Sequence, residues 1–443
     1  MKTFPKGGVH PPENKLTADS PIRILELPEQ LTIPISQHIG APARPVVDKG
    51  DNVKAGQLIA ESQGFVSASI HSPVSGKVFR IDNVPDSSGY KQTSVIINVE
   101  GDEWADEIDT SKEVIREIKL SGEEIVKKCS EKGIVGMGGA TFPSHVKLSV
   151  PPGKTCEVLI INGVECEPYL TSDHRIMLER GEELMVGVKL LMKALNVNRA
   201  VIGIENNKAD AIKHLTDLSS GFEGIEVETL KVKYPQGGEK QLIKAIINRE
   251  VPSGGLPIDV GTVVHNVGTA LAVYEAVQKN KPLVERVVTV TGKHLSNPGN
   301  YLVRIGTPLR MLVEAAGGFP DNTGKIVNGG PMMGKSVASM DVPVTKGTSG
   351  VILFAEEESS RKQTDPCIRC AKCISACAMG LEPYLLMTLT EKKMYERAEK
   401  ERIMDCMECG SCSYICPANR PLLDYIRLGK SNVGRIMRER KQK

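Results

Sequence analysis

Eight of the eleven cysteines in this chain stand in two copies of one spacing. The first run is Cys367, Cys370, Cys373 and Cys377; the second is Cys406, Cys409, Cys412 and Cys416, followed by Pro417. A C-x2-C-x2-C run brings three thiolates to one [4Fe–4S] cube, and the fourth cysteine of each run completes the other run's cluster. The spacing therefore predicts one cluster on Cys367, Cys370, Cys373 and Cys416, and a second on Cys406, Cys409, Cys412 and Cys377. Zinc knuckles or disulfides are the plainer alternatives. Zinc sites use separated CxxC pairs, and disulfide frameworks belong to short secreted chains, so neither predicts a tight triple run repeated with the same internal spacing. Ala378 stands where a proline commonly follows the fourth cysteine, which loosens the turn but removes no ligand.

At 443 residues the chain has room for about three domains, each with its own core. With 56 basic and 54 acidic residues the net charge is only +2, so the electrostatic footprint of a nucleic-acid binder is absent. Aromatic residues, at 4%, are too scarce for base-stacking platforms. The amino terminus has no apolar signal core, and no run of eighteen apolar residues occurs, so the chain is expected neither to be exported nor to span a membrane by itself. Cluster-binding thiolates need a reducing compartment, which points to the cytoplasm.

The first hundred residues read as short strands broken by Pro and Gly, and residues 46–59 and 71–78 frame a hairpin. This pattern resembles the barrel-sandwich fold of biotinyl and lipoyl carriers. In those carriers a lysine at the hairpin tip takes the cofactor; the tip here, residues 62–67, has none, so a structural or docking role is expected. On that reading, removal of residues 1–101 should leave the other sites intact.

From Ser121 the pattern changes to alternating helices and strands. Ser121 and Glu124 form a capping box, with Gly133 as the helix stop. Strands over 158–161, 200–204 and 225–232, separated by helices over 182–195 and 208–218, predict a doubly wound α/β sheet, which binds nucleotides at the carboxyl ends of its strands. Residues 284–355 return to β-type sequence, and an acidic, solvated linker leads into the cysteine-rich module. The tail from Lys430 to Lys443 carries six basic side chains against Glu439 alone. Such a tail is usually just solvated, though it could touch anionic lipid or an acidic partner. The expected division is a barrel-sandwich domain with connector over 1–120, an α/β domain over 121–283, a β domain over 284–355 and a two-cluster α module over 356–443.

Within the α/β domain, glycine-rich and acidic segments recur where loops should leave the strands: 136–143 ahead of Lys147, then 162–168, 234–239 and 265–269. Glycines let the backbone approach a phosphate or ring, and helix amino termini supply N–H donors. Singly, each reads as an ordinary turn or helix start. The first fails the Rossmann fingerprint, because Thr141 stands at the third glycine position and the loop precedes its strand.

Taken in order, these segments resemble the flavin- and NADH-binding subunit of respiratory complex I. The whole chain, including residues 328–334, is more similar still to the C subunit of Rnf (Rsx) electron-transport complexes. The resemblance implies non-covalent FMN, NAD(H) as substrate and an SLBB domain of β-grasp type over 284–355. By it, Gly136, Gly138 and Gly139 form the loop against flavin and dinucleotide, Phe142 stacks on the adenine, and Lys147 contacts the FMN. Asn162 and Glu165 hold the isoalloxazine or ribityl chain, and Glu167 orients the nicotinamide or its ribose. Gly238 and Glu239 belong to the same cavity, and Asn266 and Thr269 lie near the FMN phosphate. Val164 and Lys240 depart from the complex I pattern, where an aspartate and a glutamate are usual, which bears on the NADH pose.

No side chain is expected to act as a catalytic acid, base or nucleophile, since the cofactors carry the reaction. His145, His174 and His265 are read as satisfying local hydrogen bonds, and Cys129, Cys156 and Cys166 as inert thiols. The resemblance implies an ion-translocating NAD:ferredoxin oxidoreductase subunit, peripheral on the cytoplasmic side of the membrane. Its partners would be NAD(H), the complex's other subunits and, through them, ferredoxin. A soluble cobalamin reductase-like flavoprotein and a cluster-only electron relay are the competing readings.

Overall fold

The computed structural model describes residues 1–87 and 89–441. Two antiparallel sheets form the barrel sandwich. One has the order Gln30–Pro34, Lys91–Gly101, Ser75–Pro85, Asn52–Val53; the other joins Arg44–Pro45, Leu58–Glu61 and Ile70–His71. Alternation along the strands sends Leu31, Ile33, Ile59, Ile70, Val78 and Ile97 into one core. The lysine-free hairpin tip lies against the α/β domain: Phe65 accepts a hydrogen bond from the His145 ring at 2.9 Å.

Four parallel strands make the α/β sheet, in the order Ile225–Leu230, Ala200–Glu205, Val158–Asn162, Thr262–Asn266. The apolar runs of the two central strands, Val158–Asn162 and Ala200–Glu205, follow from burial on both faces, while the edge strand Ile225–Leu230 alternates with polar residues. Leu159, Ile161, Ile202 and Ile204 meet the helices Gly122–Glu131, Gly181–Leu195 and Val267–Gln278, while Val158, Ile160, Val201 and Val264 meet the helix Glu239–Ile247. The capping box at Ser121 and Glu124 forms as expected, and Gly133 ends that helix at φ +64°. A Cβ on Gly133 would lie 2.1 Å from the Ser69 carbonyl, so the same glycine admits the barrel sandwich.

The β domain is a six-stranded sheet in the order Ile22–Ile24, Gly299–Arg304, Glu285–Thr291, Gly350–Ala355, Thr323–Asn328, Lys335–Ser336. Its first strand comes from the amino-terminal region: Ile22–Ile24 runs parallel to Asn300–Leu302. Residues 2–9 also lie outside the barrel sandwich. Lys2 bridges to Leu230, Val9 pairs with Tyr234, and the Gly8 N–H bonds the Ala376 carbonyl at 2.9 Å. Gly7 adopts φ +67°, and a Cβ there would lie 2.5 Å from the Cys377 carbonyl carbon. The opening residues are thus a strap across the α/β domain and the cysteine-rich module. This corrects the expectation that residues 1–101 could be removed without touching the other sites.

In that module the two cysteine runs have the same backbone. The residues flanking the second cysteine are left-handed in both, Arg369 and Ala371 in one, Glu408 and Gly410 in the other. Short helices, Lys372–Ala376 and Ser411–Tyr414, follow, and the helix Leu422–Lys441 packs across them. No helix among the described residues is long and apolar enough to cross a membrane.

Candidate flavin and iron–sulfur sites

The strand Thr262–Asn266 passes directly into the helix Val267–Gln278, so the helix amino terminus faces the carboxyl end of the sheet. Asn266 caps it by accepting from the Gly268 N–H at 2.8 Å and donates to Asp173 at 2.6 Å. The glycine loop is fastened here. The Thr269 hydroxyl accepts from the Met137 N–H at 2.9 Å, and the Phe142 carbonyl accepts from Gly136. Between those anchors Gly138, Gly139 and Ala140 are exposed, and a Cβ on Gly139 would meet nothing within 4 Å, which leaves an open cradle. Gly138 is pressed against the Asn266 amide, where a Cβ would stand 2.8 Å away.

Lys147, on the helix Ser144–Leu148, donates to Glu239 at 2.7 Å and to the Val264 carbonyl at 3.1 Å. Asn162 bonds the Gly237 carbonyl at 2.8 Å and accepts from the Val164 N–H, stitching two loops together. His265, buried beside Lys147 and pushed down to about 3 by burial, has no partner for Nε2 among the described residues. An open glycine cradle, a helix amino terminus, a partly exposed lysine and an orphaned imidazole nitrogen fit a phosphate-bearing flavin.

Two acids behave differently from the rest. Both oxygens of Glu165 accept backbone N–H groups, Asp173 at 2.9 Å and His174 at 3.1 Å, so it caps the helix Ser172–Glu179. Glu167 accepts from the Met332 N–H at 3.0 Å and meets the Tyr234 hydroxyl at 3.2 Å. Sequence reasoning missed Asp173, which burial and the neighbouring Glu165 push up to about 7. Its only sequence signal is an acid in a helix's first turn. Phe142 is half-buried. Of the three histidines, His145 and His174 are hydrogen-bonded, the latter to Asp210 at 2.8 Å, while among the described residues His145 Nδ1 and His265 Nε2 each lack a partner. Burial pushes the Cys129 thiol up to about 12 and Cys156 to about 11, and raises Cys166 as well, as inert thiols require.

Cys377, Cys406, Cys409 and Cys412 border one pocket, closed by apolar side chains such as Leu386 and Ile426. The crossing cysteine therefore joins the other run's three. Among the described residues no three His, Cys, Asp or Glu side chains close on a single metal-ion position; the four cysteines instead line a shared space. Burial pushes the Cys406 thiol up to about 11 and Cys412 to about 12, so cluster formation there must displace protons. In the other set Cys373 lies within electrostatic reach of Cys416, and Cys367 and Cys370 are exposed. The enclosed set abuts the flavin side: a Cβ on Gly238 would lie 2.3 Å from the Met407 side chain, and Gln241 donates to the Ala378 carbonyl.

The fold and these sites define a flavin-domain protein carrying an iron–sulfur module. Residues 129–275 match the Nuo51 FMN-binding domain, residues 2–102 the RnfC barrel-sandwich hybrid domain, residues 287–336 the SLBB domain and residues 359–417 the 4Fe-4S dicluster domain. The chain belongs to the family of C subunits of ion-translocating ferredoxin:NAD(+) oxidoreductase complexes. It is 47% identical to the C subunit of the proton-translocating complex of Clostridium ljungdahlii, over 97% of this chain and 94% of the relative. It is 44% identical to the C subunit of the Na(+)-translocating complex of Acetobacterium woodii, over 97% and 96%. A solved NAD+-reducing [NiFe]-hydrogenase gives a TM-score of 0.49 at 18% identity, covering 71% of this chain and 63% of that one.

Proposed function

We propose that this chain transfers electrons between NAD(H) and the partner subunits of an Rnf-type complex, lying peripherally on the cytoplasmic face of the membrane, where other subunits couple the flow to ion translocation. One observation carries the reading: the enclosed cysteine pocket abuts Gly238 and the helix Glu239–Ile247, which also border the flavin cradle. FMN, when bound, takes two electrons from a nicotinamide and yields them singly, which iron–sulfur clusters require.

The chain's own residues hold and order these groups. The amino terminus of Val267–Gln278 and Lys147 supply donors and positive charge for the phosphate and ring, and Gly136, Gly138 and Gly139 keep the loop close. Asn162 and Asn266 fix the loops, while Glu165 and Thr269 act through backbone they hold. Phe142, half-buried beside the glycine loop, is the residue for an adenine to stack on. Cys377, Cys406, Cys409 and Cys412 hold the cluster next to the flavin; Cys367, Cys370, Cys373 and Cys416 hold the one nearer the surface, where electrons pass to a partner subunit and so to ferredoxin.

The test is anaerobic analysis of the loaded protein: about eight iron and eight acid-labile sulfides per chain, FMN released by acid, and NADH-driven bleaching of both clusters. Clusters without FMN or NADH reactivity would establish a relay instead. Full activity with no tendency to associate with membrane subunits would favour a soluble reductase.

A further inference from the structure

Glu167, Tyr234, Met332 and Cys409 meet at one point although they come from three domains. The Tyr234 hydroxyl donates to the Cys409 carbonyl at 2.8 Å and lies 3.2 Å from Glu167 Oε1. Glu167 Oε2 accepts from the Met332 N–H at 3.0 Å. Both neighbouring loops are shaped for this contact. A Cβ on Gly330 would fall 2.1 Å from Glu167 Oε2, and one on Gly410, already left-handed at φ +78°, would fall 2.8 Å from the Met332 carbonyl. Tyr234 is 2% exposed, and its backbone pairs in both directions with Val9 of the strap. The ring therefore has no freedom to point elsewhere.

One hydroxyl hydrogen serves one acceptor well, and the shorter contact is to Cys409. Burial pushes the Glu167 carboxyl up to about 7, so near neutral pH it can supply the second proton of the arrangement. Hydrogen bonds around a cluster and the charges near it set its reduction potential. A carboxyl fastened to Met332 and Tyr234 is also poorly placed to reach a nucleotide in the open cradle.

We propose that Glu167 and Tyr234 are a positioning pair that seats the enclosed cluster against the flavin domain and tunes its potential, with no contact to the nucleotide. The proposal rests on the reading that Cys377, Cys406, Cys409 and Cys412 hold that cluster. Losing the donor to the Cys409 carbonyl leaves more negative charge near the cluster, so Tyr234→Phe should lower its potential. Glu167→Gln removes the negative charge of the ionised form, so above about pH 7 it should raise the potential. A loosened fold would not move the potential in opposite senses.

The experiment uses the full chain, loaded with iron, sulfide and FMN under anaerobic conditions. Iron, sulfide and FMN are measured first on the unsubstituted protein; absence of the second cluster there would overturn the function proposed above. Redox titration followed by electron paramagnetic resonance then compares it with Tyr234→Phe and Glu167→Gln, and Cys377→Ala identifies the enclosed cluster's signal. The expected result is a shift of that signal alone, downward for Tyr234→Phe and upward for Glu167→Gln, with KM for NADH unchanged in both. Unmoved potentials in both variants, or a raised KM for NADH in Glu167→Gln at unmoved potentials, would overturn the proposal; the latter would return Glu167 to the nucleotide.

Discussion

The ammonium of Lys147 lies 2.7 Å from the carboxylate of Glu239, across 92 residues of sequence. One stands on a short helix after the glycine loop, the other on the first turn of the helix that borders the cysteine pocket. With side chains 28% and 38% exposed, the pair contributes no more than about 1 kcal/mol to stability. Lys147→Ala should therefore keep its melting temperature within a few degrees while losing FMN. FMN released by acid and counted per chain is the check; full occupancy with normal NADH reactivity would show that this cation is not at the flavin.

The proposed crossing of the ligands predicts that two single substitutions act on opposite runs. Cys416→Ala should damage the cluster held by Cys367, Cys370 and Cys373, and Cys377→Ala the one held by Cys406, Cys409 and Cys412. Resonance spectra of the two variants give the answer directly. If each variant lost the signal of its own run, ligation would be local.

Residues 2–9 bury Phe4 to 2% and Val9 to 5% exposure. Fully burying such side chains stabilises by roughly 1.5–3 kcal/mol each, so deleting residues 1–9 should cost about 3–6 kcal/mol. Because Gly7 and Gly8 lie on the Cys377 loop, the enclosed cluster should become the labile one. Calorimetry and the rate of iron loss in air test this; an unchanged rate for that cluster would show that the strap holds only the sheet edge.

Lys346, 1% exposed, joins three domains: its ammonium donates to the carbonyls of Ser69 at 2.9 Å and Gly133 at 2.7 Å. Burial pulls it from its ordinary 10.5 down to about 7. Between those values the unfolded chain keeps a proton that the folded chain has released, so this group makes stability rise with pH from about 7 to 10.5. Below about 7 the cost of burying the charge is complete. His38 and His71, which feel the same charge, are lowered from 6.5 and titrate outside that window. Lys346→Met should flatten the rise in melting temperature between pH 7 and 10; parallel curves for the two proteins would show the amine stays charged.

The local signals in the sequence carried far. The cysteine spacing gave the module, Ser121 and Glu124 gave a helix start, and the apolar runs gave the sheet, because each depends on neighbours a few positions away. Contacts between distant segments left no such trace. Ile22–Ile24 reads like any short apolar run, yet its partner lies in the β domain. Glu165 reads as a ligand-binding acid, yet its carboxylate is taken up by the helix Ser172–Glu179, which only the tertiary fold brings beneath it. Gly7 and Gly8 carry no local pattern that names Cys377 as their neighbour.

The strap also dictates a schedule. Lys2 must wait for Leu230, Ile22 for Asn300 and Gly7 for Cys377, so residues 2–24 find their partners only long after they are made. At ordinary rates of synthesis the delay is on the order of tens of seconds. During that interval the end of the chain stays unpaired, and the loop that carries Cys377 is still uncovered when it emerges. The strap, made long before, is then at hand to close over that loop.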